Sequence, residues 1–154
     1  MTVTPQSLAY SESVRAIEQQ SRMVDELRSR TGVLLTGASI VASFLGAQAL
    51  RSHGSLTTLD GLAIVAFAVV LATSMAILWP REWRWALSAK VLLEDWADEP
   101  TRRDDVAGMQ AFLATTLEIN WKANRLKLDK QLCLFQVAAV ALGAEVIFWT
   151  LELA

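Results

Sequence analysis

Two asparagines, Asn120 and Asn124, stand where an apolar stripe should continue. The stripe runs Val106, Met109, Leu113, Leu117 at helical spacing, and the same spacing next lands on the two amides. A side-chain amide carries both donors and an acceptor, so a pair on one helix face suits the edge of a nucleobase. Arg28, on an earlier helix, supplies a guanidinium for a phosphate, and Trp85 a face on which a ring can stack. Arg28, Trp85, Asn120 and Asn124 thus make a candidate ligand pocket. The same pattern also fits a buried amide that fixes helix register, as asparagine does in coiled coils, or a solvated face.

Glu145 is the second chemical outlier, the one charge in an apolar run over 131–151. A carboxylate at a bilayer midplane costs about 2.5–3.5 kcal/mol on insertion scales, and less near an interface. Helical rise puts Glu145 about 21 Å into that run, nearer its far end. Pore lining, helix pairing, or a bystander reaching towards Arg51 or His53 all fit.

Catalysis has little to build on. One histidine, His53, and one cysteine, Cys133, make neither a metal cluster nor a nucleophile pair. Gly32, Gly37 and Gly46 are spread through a run rather than gathered in a phosphate loop. Asp104 and Asp105 read as a helix start that complements the dipole. The expectation is a protein that is not an enzyme and carries no metal or cofactor.

The elements that position these residues are membrane spans. The chain has 154 residues, 53% of them hydrophobic, with a mean hydropathy of +0.34. That excess is concentrated in three runs, 31–50, 61–80 and 131–151, the first two free of charge. At about 1.5 Å per residue each crosses a hydrocarbon layer of roughly 30 Å. The stretch "WPREWRW" at 79–85 closes the second run with aromatics beside arginines, which suits a membrane boundary and not a soluble core. Trp79, Trp83 and Trp85 are read as interface anchors there, and Trp149 as a member of the opposite belt.

The first 30 residues are polar, so no signal peptide is expected. Thirteen Lys and Arg residues lie before the first run or between the second and third, and only Arg51 lies on the other side. That asymmetry predicts a cytoplasmic N-terminus and a C-terminus outside. A net charge of −2 offers no field for a nucleic acid polymer.

Helical pattern continues beyond each run on the cytoplasmic side. Tyr10, Val14, Ile17, Ser21 and Val24 recur at spacings of four and three before the first. Trp83, Trp85, Leu87, Val91, Leu92 and Trp96 extend the second through a kink at Pro80 until Pro100 stops it. Thr101 with Asp104 reads as a capping box opening a helix that runs into the third. The predicted fold is an all-α integral membrane protein of three long helices, each a span extended into a cytoplasmic bundle. Its parts are a cytoplasmic amphipathic helix over 1–30, transmembrane helices over 31–50, 61–80 and 131–151, and a cytoplasmic helical insert over 81–130. Ridges of small residues (Ala38, Ala42, Gly46; Ala68, Ala72, Ala76; Ala139, Gly143) let backbones approach closely, which suits self-association as well as it suits a merely alanine-rich chain.

The layout carries a resemblance. "DELRSRTGVLLTGASIVASFLG", a second span, a helical insert and then "LEINWKANRLKLDKQLCLFQVAAVALG" resemble the small transmembrane effectors of Pycsar antiphage systems, and are similar to SLATT-type effectors. Where members of that family often carry an acidic–basic pair before the first span, this chain has Arg28, Ser29 and Arg30. The resemblance implies a defence effector of the bacterial inner membrane. A partner cyclase would make cyclic CMP or cyclic UMP, and the effector would then impair the membrane. An insert of this length has no room for a separate β-roll, so the nucleotide would bind between helices, across subunits. Two rivals remain: a structural or adaptor subunit, and a small channel component that uses Glu145.

Overall fold

The computed structural model describes residues 4–53, 57–85, 96 and 105–153, the side chains of 50, 52 and 53 excepted. Among the described residues the long helices are α1 (Pro5–His53), α2 (Thr58–Leu78) and α3 (Val106–Glu152), and no strand occurs. All three are long and apolar enough to cross a membrane, which makes this a multi-pass membrane fold.

Each helix starts on a local signal. Thr4 caps α1, its hydroxyl accepting from the Ser7 backbone N–H at 3.2 Å while Ser7 Oγ accepts from the Thr4 N–H at 3.1 Å. Pro5 occupies the first helical position, where its missing N–H costs nothing. Thr57 and Asp60 form a full capping box on α2. Asp105 opens α3, its carboxylate accepting from the Gly108 N–H at 2.8 Å. The predicted start at Thr101 and Asp104 lies outside the described residues, but the described helix begins only after Asp105.

The second helix differs from expectation. Pro80 breaks α2 instead of kinking it: the helix ends at Leu78, and 79–85 carry no regular structure. Trp79 sits at φ −54°, ψ 130°, the extended region to which the residue before a proline is pushed. The predicted helix through Trp83 and Trp85 is therefore absent, and its continuation over 86–95 and 97–99 lies outside the described residues.

The chain divides into two compact units. The first contains Met1–Val24 and Glu82–Leu128, the second Asp25–Arg81 and Asp129–Ala154. Both boundaries on the long helices, after Val24 and after Leu128, fall inside unbroken α-helix. Burial along α3 recurs every seventh residue, at Leu117, Asn124, Gln131, Ala138 and Glu145, and along α1 at Ile17, Val24, Thr31 and Ala38. A repeat of seven keeps one seam of a helix inward over many turns, as in coiled coils.

In the second unit polar side chains share the interior with mostly small apolar ones, and large apolar side chains face outward. Thr31, Asp60, Ser74, Gln131 and Glu145 are buried, while Val33, Phe44, Val65, Val140 and Ile147 are exposed. That arrangement suits a bilayer, whose lipid tails solvate outward apolar groups while polar ones turn inward. Trp149 closes a small core with Ala49 and Ala63.

Candidate functional site

The polar face of α3 serves a neighbouring stretch of backbone. In the first unit, the Asn124 amide is fully buried and makes two hydrogen bonds with one residue. Its Oδ1 accepts from the Arg84 N–H and its Nδ2 donates to the Arg84 carbonyl, both at 3.1 Å. Lys127 donates to the Glu82 carbonyl at 2.6 Å. Residues after Pro80 have no helical partner for their backbone groups, and these side chains supply one. Gln20 on α1 donates in the same way to the Trp121 carbonyl at 3.2 Å. The stripe turns polar at Asn124 because what it meets is extended chain and not a second helix.

The four predicted pocket residues are not gathered into one place by these contacts. Asn124 holds the backbone of Arg84, the residue before Trp85, and the Trp85 ring stacks on Trp83 at 5.2 Å and 10°. Asn120 is half-buried and Asn124 alone turns fully inward. Arg28 belongs to the second unit, where its Nε is buried with no hydrogen-bond partner. Among the described residues, the first unit has a groove between α1 and α3 of about 290 Å³ lined by Glu12, Ser13, Ala16, Leu117, Glu118 and Trp121. A second groove of about 380 Å³ shares Ser13 and Glu118 with it. Glu118 pairs with Lys122 at 2.7 Å, and the Arg125 guanidinium lies 5.6 Å from the Trp121 ring. The groove therefore offers an indole and ion-paired carboxylates. Trp121, Lys127, Gln131 and Gln20 were not singled out by spacing. The signal was there in part, since Gln131 continues the sevenfold pattern of Leu117 and Asn124 that a helix period of 3.6 hides.

In the second unit, Gln131 donates to the Ile77 carbonyl at 3.2 Å, in the last turn of α2, where carbonyls lack helical partners. Glu152 accepts from the Thr57 hydroxyl at 2.7 Å, linking the end of α3 to the start of α2. Both oxygens of Glu145 are buried with no hydrogen bond to a described residue within 3.5 Å, the Trp149 indole one turn on being the side chain that acts on the carboxyl. Of the tryptophans read as anchors, Trp79 is 63% exposed, while Trp83 and Trp85 are half-buried against each other. Trp149 is 4% exposed, its ring lying inside the unit over Gly46. A Cβ at Gly46 would come within 3.2 Å of that ring, so the absence of a side chain there makes the slot. The small ridge of α1 is accordingly spent inside the chain, with Ala38 buried as well.

No protein-family model, curated protein or solved structure matches the chain. Its function rests on its own geometry.

Proposed function

We propose that this chain is an antiphage defence effector of the bacterial inner membrane, activated by a cyclic pyrimidine mononucleotide and acting as an assembly of copies that impairs the membrane. The N-terminus is cytoplasmic and the C-terminus outside, as the Lys and Arg asymmetry directs. The observation that carries the reading is that both compact units are built from the same two unbroken helices, α1 and α3. A ligand that prefers one helix packing in the first unit acts on elements that also make the membrane unit. It can shift the balance only by its differential affinity for the two packings. The layout shared with transmembrane effectors of cyclase-linked defence supplies the ligand class.

The amide of Asn124 is already satisfied by Arg84, so the nucleotide would use the α1–α3 groove, stacking on Trp121 with its phosphate towards Arg125, Lys122 and Arg15. Pairing of Lys122 with Glu118 and of Arg15 with Glu12 offsets the carboxylates there. The deciding experiment measures dye and ion leakage from proteoliposomes with cyclic UMP, cyclic CMP, cyclic AMP or no ligand. Leakage with a pyrimidine nucleotide alone is the expected result. No leakage with any of them, from folded and oriented protein, would overturn the proposal and favour an adaptor.

A second reading, a small channel component, is favoured by one observation: Glu145 is a buried carboxyl inside a helix long and apolar enough to cross a membrane, with no described cation paired to it. Under that reading Glu145→Gln changes single-channel conductance in planar bilayers. Conductance equal to the wild type would remove it.

A further inference from the structure

Gln136 is the anomaly of the membrane unit. It lies within the apolar stretch of α3, and unlike Gln131 five residues before it, it is exposed. It makes no hydrogen bond with any described residue. Other exposed polar side chains on the spans are satisfied at home. Thr36, Ser39 and Ser43 each donate to a carbonyl one turn back on α1, Thr73 does so on α2 and Thr150 on α3, while Gln48 is engaged. A primary amide cannot satisfy two N–H donors and a carbonyl that way, and lipid tails offer it nothing.

The surroundings of Gln136 form a second seam on the outer side of α3. Cys133, Val140 and Ile147 recur every seven residues, and so do Gln136 and Gly143. Val140 is 74% exposed and Ile147 57%, and nothing in the chain comes within 4 Å of where a Gly143 side chain would begin. This is the same repeat that α3 uses on its inner side, with a glycine open to close approach and an amide in register with it. The amide also selects the occupant. Two copies related by a two-fold axis along the membrane normal bring Gln136 to Gln136, and each amide is at once donor and acceptor for the other.

We infer that two copies of this chain pair in the membrane through the outer face of α3, with parallel helices, the Gln136 amides bonded to each other and Gly143 at the closest approach. This deepens the assembly in the proposed function, and it holds or fails without any nucleotide.

The test uses full-length protein carrying a donor or an acceptor dye at the N-terminus, reconstituted in phosphatidylcholine–phosphatidylglycerol vesicles, with energy transfer followed as lipid is added. Wild type should associate. Gln136→Leu, which is better solvated by lipid, should dissociate at about tenfold higher protein density. Gly143→Leu should do the same, and Val65→Leu on the exposed face of α2 should change nothing. Circular dichroism confirms that each variant keeps its helices. In parallel, oxidation of membranes should join wild-type chains through Cys133 into a species of twice 16.9 kDa, whereas Val65→Cys in a Cys133→Ala background should not be joined. A monomer at every density, equal dissociation of Gln136→Leu and wild type, or joining through position 65 and not 133 would each overturn the inference. Leakage in the nucleotide assay with a monomeric protein would separate the failure of this interface from the failure of the effector reading.

Discussion

Asn124 does with one side chain what a neighbouring strand would do with its backbone, accepting from Arg84 N–H and donating to Arg84 C=O. Removing it takes that partner from both backbone groups, and because Arg84 is exposed water meets part of the loss, which leaves a cost of about 1 kcal/mol. Asn124→Ala should therefore free the segment after Pro80, and limited trypsin digestion in detergent should cut after Arg81 or Arg84 faster than in wild type. Asn124→Asp keeps the acceptor but sets a carboxylate oxygen against the Arg84 carbonyl, so it should behave like the alanine variant and not like wild type. Gln131→Leu is a contrasting case. It removes one hydrogen bond to Ile77, and hydrogen bonds between membrane helices average only about 0.6 kcal/mol. Because the Gln131 Oε1 is buried and unsatisfied, the leucine also relieves a cost. Thermal unfolding should shift little for Gln131→Leu and clearly downward for Asn124→Ala. Gly46→Leu, driven into the Trp149 ring, should destabilise by about 1–3 kcal/mol, as overpacking does.

Among the elements, α2 depends most on its ends. Thr57 caps it and also donates to Glu152, so Thr57→Ala removes a cap and a link to α3 together. A loss of about 1–2 kcal/mol is expected for the cap, measured by unfolding in a denaturing detergent. Glu152→Gln with Thr57 intact should keep part of the link, because an amide oxygen still accepts from the hydroxyl. The three spans were legible in the sequence because runs such as 61–80 hold no charge over a bilayer's thickness, and nothing in a water-soluble core demands that. The end of α2 was legible only in kind. Pro80 announced an irregularity, but whether a proline kinks or breaks a helix depends on what receives the freed backbone, and Asn124 and Lys127 lie some forty residues away in sequence. The direction of Trp149 was hidden for the same reason: an interface tryptophan and one seated over a glycine differ only through Gly46, about a hundred residues earlier.

At the scale of the whole molecule, the Lys and Arg asymmetry predicts a topology that labelling can check. In a Cys133→Ala background, Leu153→Cys should react with a membrane-impermeant maleimide on intact spheroplasts, and Ser13→Cys only after lysis; the reverse pattern would invert the assignment. The stronger prediction concerns the two long helices. Val24 and Asp25 belong to different compact units, yet α1 passes between them unbroken, and α3 does so at Leu128 and Asp129. A helix that crosses such a boundary holds its seven-residue seam in phase on both sides. Three glycines inserted after Val24 interrupt that phase without removing a side chain, and glycine costs about 1 kcal/mol per helical position. If nucleotide preference for one packing acts through α1, the inserted protein should still bind nucleotide by calorimetry but should no longer leak. An insertion of seven helix-forming residues at the same place restores the phase and should restore leakage. Leakage that survives the glycine insertion would mean that α1 does not carry the signal, and would leave α3 to carry it alone.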